Sequence, residues 1–184
     1  LLENGPREMP VSHDKERLVV TDGRYYILLD VEKMKVIWKR LIDANDITRP
    51  PPLRFELNGD YLAVVKQDYD SKAIYMFSSR TGEILWQTDP KVSNSPQPFD
   101  TMLIKGDNIY GIKPHAGQGF YFVGLECATG KPVFKQNEQT GYGGKPEVNM
   151  RHVAYGDTVM VRIKDRQDFE VKAFSLSDGK LIHK

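Results

Sequence analysis

One short frame occurs four times in this chain at a near-constant distance, and that constrains the fold more than any bulk property. Its clearest copy is Thr81-Gly82-Glu83-Ile84-Leu85-Trp86, matched by Thr129-Gly130-Lys131-Pro132-Val133-Phe134. A weaker copy is Asp178-Gly179-Lys180-Leu181-Ile182-His183, and Lys33-Met34-Lys35-Val36-Ile37-Trp38 fits upstream. The turn position therefore falls at 34, 82, 130 and 179, with spacings of 48, 48 and 49 residues. Five residues before it stand Leu29, Phe77, Leu125 and Phe174; one residue after it stand Lys35, Glu83, Lys131 and Lys180. A second landmark precedes three of the copies: Gly59-Asp60, Gly106-Asp107 and Gly156-Asp157. Several columns held in one phase mark a structural repeat.

Each repeat reads as four strands. An inner strand (Leu53–Leu57, Asp100–Ile104, Asn149–Ala154) leads to the Gly-Asp pair, which suits a tight reversal. The second strand follows as Tyr61–Val65, Asn108–Ile112 or Thr158–Ile163, with Arg17–Thr21 in the first copy. The third is rich in aromatic and β-branched residues: Tyr25–Leu29, Ala73–Phe77, Tyr121–Leu125 and Glu170–Phe174. The Thr-Gly turn then leads to an outer strand carrying Trp38, Trp86 or Phe134. Apolar residues nowhere recur at helical spacing over three turns, so the expectation is all-β. A period near 48 residues with four strands per period points to a β-propeller built from four blades, at approximately 1–42, 43–90, 91–138 and 139–184.

The copies Met76-Phe77-Ser78-Ser79-Arg80-Thr81-Gly82-Glu83-Ile84-Leu85-Trp86 and Gly124-Leu125-Glu126-Cys127-Ala128-Thr129-Gly130-Lys131-Pro132-Val133-Phe134 resemble the PQQ-like repeat of quinoprotein-type β-propellers, Ala-Leu-Asp-x-x-Thr-Gly-x-x-x-Trp. The likeness runs over the whole chain, with departures: the Asp survives only as Asp30, Met34 replaces a glycine, and Phe134 and His183 replace tryptophans. The resemblance implies that the tryptophan packs between blades, so Trp38 and Trp86 read as structural and His183 as a packing substitute. It also implies a ring of about eight blades, of which four would be half. The chain is then a piece of a longer protein, one of two copies closing a ring as a homodimer, or a closed four-bladed propeller. Beginning at Leu1 rather than Met, it is expected to have been processed or excised. A periplasmic or extracellular location is implied by the resemblance alone.

Charge and cysteine content narrow the function classes. With 26 basic and 25 acidic residues the net charge is +1, which supplies no general field for a polyanion, so no nucleic-acid partner is expected. No apolar run is long enough for a membrane-spanning helix. Cys127 stands alone, so neither an intrachain disulfide nor a cysteine metal cage can form. The resemblance would bring a calcium-bound quinone, an Asp base and an adjacent-cysteine disulfide if the chain were a dehydrogenase, and Cys127 alone cannot make the last. Asp68, Asp70, Asp165 and Asp168 lie in matching loops where solvation explains them. His13, His115, His152 and His183 lack metal-pair spacing. Gly-x-Ser-x-Gly is missing, and Gly141-Tyr142-Gly143-Gly144-Lys145 lacks the spacing and following Ser/Thr of a phosphate loop. No cofactor is therefore expected.

The longer connections gather on one end of the blades: Lys39–Pro52, Gln87–Phe99 and Lys135–Val148 between blades, Lys66–Lys72, Lys113–Gly119 and Lys164–Asp168 within them. Long loops on a rigid scaffold are where function concentrates. Arg49, Lys66, Tyr69, His115, Tyr142, Lys145 and Arg166 are the candidate binding residues there. The expected function is a non-catalytic scaffold binding a protein, peptide or glycan through this loop face, in the cell envelope. The rival is a fragment of a quinone- and calcium-dependent dehydrogenase.

Overall fold

The computed structural model of the chain describes residues 12–14, 16–21, 25–41, 54–67, 72–88, 99, 101–114, 119–139, 147–165 and 168–183. All regular structure among them is strand. Blade 1 holds β1 (Ser12–His13), β2 (Arg17–Thr21), β3 (Tyr25–Asp30) and β4 (Lys35–Leu41). Blade 2 holds β5 (Arg54–Asn58), β6 (Tyr61–Gln67), β7 (Lys72–Ser78) and β8 (Ile84–Gln87). Blade 3 holds β9 (Thr101–Lys105), β10 (Asn108–Pro114), β11 (Gly119–Glu126) and β12 (Pro132–Gln139). Blade 4 holds β13 (Glu147–Tyr155), β14 (Thr158–Asp165), β15 (Asp168–Ser175) and β16 (Leu181–His183). Each blade is one four-stranded sheet with its strands in sequence order and every neighbour antiparallel. The chain divides into two compact units, Leu1–Gln97 with blades 1 and 2 and Pro98–Lys184 with blades 3 and 4.

The repeated sequence columns coincide with a repeated hydrogen-bond pattern at the turn-bearing end. Gly59, Gly106 and Gly156 have φ of 55 to 58°, as tight hairpins require. Three residues before each turn position, Ser79, Cys127 and Leu176 donate their N–H to the carbonyls of Asp60, Asp107 and Asp157, each at 2.8 Å. The two landmarks of each repeat are thus tied by one backbone bond. Blade 1 lacks the Gly-Asp pair and substitutes a side chain: Asp14 accepts from the N–H groups of Glu16 (3.0 Å) and Arg17 (2.8 Å), while Val31 N–H donates to Glu16 O.

Alternation along each strand sends one set of side chains to each face of a blade. In the first unit Val19, Tyr26, Leu28 and Trp38 of blade 1 meet Phe55, Leu57, Leu62, Val64 and Phe77 of blade 2. Trp38 lies across the turn of the next blade, where a Cβ on Gly82 would come within 2.7 Å of the indole, and its Nε1 donates to Ser79 O at 2.8 Å. In the second unit Leu103, Tyr110, Ile112, Phe120 and Phe122 meet Val159, Val161, Ile163, Phe174 and Leu176. Phe134 lies across Gly179 in the same way, at 2.4 Å from an ideal Cβ. Phenylalanine brings no N–H, and Gln136 supplies the polar tie instead, donating to Asp178 O at 3.0 Å. Arg40, in the matching column of blade 1, donates to Thr81 O at 3.4 Å.

Three expectations change. The second and third strands run further than the apolar residues suggested, because a hairpin ladder pairs backbone whatever the side-chain polarity. Gln67 still pairs with Lys72 and Pro114 with Phe120, so the connections within these blades are shorter than expected. Outer strands also extend: Lys39 and Lys135, placed at the start of loops, lie within β4 and β12. Finally, His183 does not pack as a tryptophan substitute; β16 is exposed throughout.

Candidate functional site at the loop-bearing end of the blades

Most of the candidate loop residues lie outside the described residues: Arg49, Tyr69, His115, Tyr142, Lys145 and Arg166. Lys66 is a strand residue rather than a loop residue, its backbone paired with Ala73 on β7, and its side chain lies outside the description. The described part of this end consists of the strand ends that carry the loops, and these hold an arrangement the sequence reading did not single out.

In blade 1, Lys39 Nζ sits 3.8 Å from the centroid of the Tyr25 ring. In blade 3, Lys135 Nζ lies 4.3 Å from the Tyr121 ring centroid and Lys113 Nζ 5.9 Å from it. Tyr25 and Tyr121 each stand nine residues before their turn position, and Lys39 and Lys135 five after it. That pair of columns was the available signal, legible once the third and fourth strands were placed side by side. In blade 4 the Arg162 guanidinium lies 5.2 Å from the centroid of Phe169, which is 66% exposed. A cation over an aromatic face is worth roughly 0.5–1 kcal/mol at such exposed positions.

On the turn-bearing end cations meet carboxylates: Arg80 pairs with Asp60 at 2.8 Å, Lys33 with Asp30 at 3.0 Å and Lys180 with Asp178 at 2.8 Å. On the loop-bearing end Lys113, Lys135 and Arg162 have no carboxylate partner among the described residues. Burial holds the Lys113 ammonium below the usual lysine range, and the nearby Lys135 charge adds to the effect. One acid–base contact at this end joins blades 3 and 4, where Lys172, 3% exposed, reaches Glu138 Oε2 at 3.0 Å.

Reactive groups are sparse among the described residues. Burial, then the Asp107 charge, pushes the Cys127 thiol up to about 12, so it stays protonated and inert at neutral pH. No group of three His, Cys, Asp or Glu side chains placed to hold a metal ion occurs among the described residues. No helix among them is long and apolar enough to cross a membrane. The arrangement is suited to attracting and holding a ligand.

No family model matches the sequence, and no curated protein matches it. Solved structures do. The WD40 domain of coronin from Toxoplasma gondii is similar over 99% of this chain and 46% of that one, at 12% identity and a TM-score of 0.61. A quinohemoprotein alcohol dehydrogenase from Pseudomonas putida is similar over 92% of this chain and 32% of its own, at 10% identity and a TM-score of 0.58. A europium-containing methanol dehydrogenase matches over 94% and 40%, at 14% identity and a TM-score of 0.56. The chain spans less than half the length of each. At these identities the likeness is one of fold, and the fold is that of β-propeller blades.

Proposed function

We propose that the chain is a non-catalytic β-propeller scaffold of the cell envelope, binding a protein, peptide or glycan through the loop-bearing end of its blades. The observation that carries this reading is the pair of ammonium groups, Lys113 and Lys135, held against the Tyr121 ring at that end of blade 3. Cation and ring together offer charge, donors and flat apolar area, which suits recognition. The rival, a piece of a quinone-dependent dehydrogenase, draws on the Thr-Gly-x-x-x-Trp columns. Titration with the quinone plus calcium separates the two. Absence of saturable binding, together with saturable binding of a peptide or glycan, is expected. Saturable quinone binding or dye-linked alcohol oxidation would overturn the scaffold reading.

Association of copies belongs to the same proposal. The face of blade 1 turned away from blade 2 carries Leu18, Val20, Ile27 and Leu29, all half-buried, with Leu41 56% exposed. The face of blade 4 turned away from blade 3 carries Met160, Ala173, Val171 and Phe169, the last two 42% and 66% exposed. Apolar blade faces of this kind associate with further blades, and a second copy of the chain supplies them in a homodimer.

A further inference from the structure

We propose that Lys113, Lys135 and Tyr121 form a docking point for an extended acidic peptide segment laid along the outer edge of blade 3. The inference rests on the scaffold reading and names the partner class of its loop-bearing end.

Register puts the three residues on one face. Lys113 is directly opposite Tyr121 on the neighbouring strand, Tyr121 is opposite Asn137, and Lys135 is opposite Val123, one row along. Residues two apart on a strand share a face, so both ammonium groups come over one tyrosine ring, with Asn137 in the same row. The row is rich in donors and contains no carboxylate. Two ammonium groups held against one ring repel each other, and Lys113 is also partly desolvated, as its lowered proton affinity reflects. A single carboxylate between them relieves the repulsion and regains hydrogen bonds for both. Elsewhere in the chain Lys33, Lys180, Lys172 and Arg80 each already have an acidic partner. Here the neutralising group has to come from outside the described residues.

Two observations favour a peptide over an acidic glycan. The Tyr121 ring faces the lysines, with Lys135 Nζ only 4.3 Å from its centroid, so it is not open for a sugar ring to stack on. And β12, eight residues long and carrying Lys135, is the last strand of its sheet, paired with β11 on one side only. An edge strand presents unpaired main-chain donors and acceptors in register for an extended chain. An acidic peptide can thus bond to the β12 backbone while its side chains reach Lys135 and Lys113. No covalent step is involved.

The test titrates a short Glu-rich peptide into the intact chain by calorimetry at low salt, for wild type, Lys113→Gln, Lys135→Gln and the double variant. Lys33→Gln and Lys180→Gln serve as charge-matched controls on the other end of the blades. Each single change at the cluster is expected to weaken binding about threefold to fivefold, the double change about tenfold or more, and the controls little. Bound peptide should also raise the titration midpoint of the Lys113 ammonium, followed by NMR, a response that non-specific charge attraction elsewhere would not produce. Unchanged affinity in the double variant, or equal losses in the controls, would overturn the cluster while leaving the scaffold reading intact. Tighter binding of a polyuronate than of the peptide would replace the proposed partner class. Saturable quinone binding would instead remove the scaffold reading itself.

Discussion

A methyl group placed on Gly82 would stand 2.7 Å from Trp38 Cδ2, on a backbone whose φ is +69°. Two costs therefore coincide there: left-handed backbone for a residue with a Cβ, and overpacking against a buried ring. Gly59 has a similar φ of +55° but nothing within 4 Å of its Cβ position. Gly82→Ala should lose about 2–4 kcal/mol and Gly59→Ala about 1–2 kcal/mol, read as shifts in the urea midpoint. Equal losses would show that the ring imposes no demand on the turn. Met34 fills the same column in blade 1, with φ of 49° and 83% exposure. It bears the backbone cost and gains no visible packing, so Met34→Gly should raise stability by about 0.5–1 kcal/mol. A loss instead would mean that the Met34 side chain contributes contacts its exposure conceals.

At the level of strands and turns, the ties between blades 1 and 2 decide how each turn holds. Asp14 closes the β1–β2 reversal and binds Arg17, which reaches across to Ser79 Oγ at 2.7 Å and to Gly59 O. Burial works to raise the Asp14 pKa, but hydrogen bonds from the Arg17 side chain and from the N–H groups of Glu16 and Arg17 outweigh it. The carboxyl ends below its ordinary value of 3.8. Because the folded state lowers this pKa, its contribution is complete above about pH 4 and fades as pH falls through the lowered value. Urea midpoints measured down that range should drop more steeply for wild type than for Asp14→Asn; parallel curves would discard the linkage. Trp38 is the second tie. Trp38→Phe should cost about 1–2 kcal/mol, since Ser79 O loses its donor, and Trp38→Ala about 3–5 kcal/mol, since the Gly82 turn also loses its cover.

For the whole molecule, the outcome turns on the two apolar blade faces. Residues near turn positions that are buried in later blades are exposed in blade 1: Val31 is 45% exposed, while Ser79, Cys127 and Leu176 in the same column are at most 1%. Light scattering should therefore give a mass that rises with concentration above the 21.0 kDa of one chain. Leu41→Lys combined with Phe169→Lys should restore the single-chain mass. A constant 21.0 kDa for the unaltered chain would end the homodimer proposal.

The architecture was legible because a propeller writes its geometry into the sequence once per blade. Gly82, Gly130 and Gly179 report a left-handed turn, Gly59, Gly106 and Gly156 a hairpin, and the apolar column at Phe77, Leu125 and Phe174 a buried strand face. Each of these is a local demand on one residue, and repetition at a fixed period separates it from chance. What only tertiary structure decided was the reach of the strands and what their ends carry. Lys135 looked like the start of a loop because polar residues follow it, yet the β11–β12 ladder continues to Gln139, since pairing depends on backbone and not on side-chain polarity. The Tyr121 cluster was hidden for the same reason. Its three members lie on three different strands, and only antiparallel register brings position 113 opposite 121 and sets 135 one row away. His183 kept the sequence position of a tryptophan without its environment, because a packing role requires a neighbour as well as a residue.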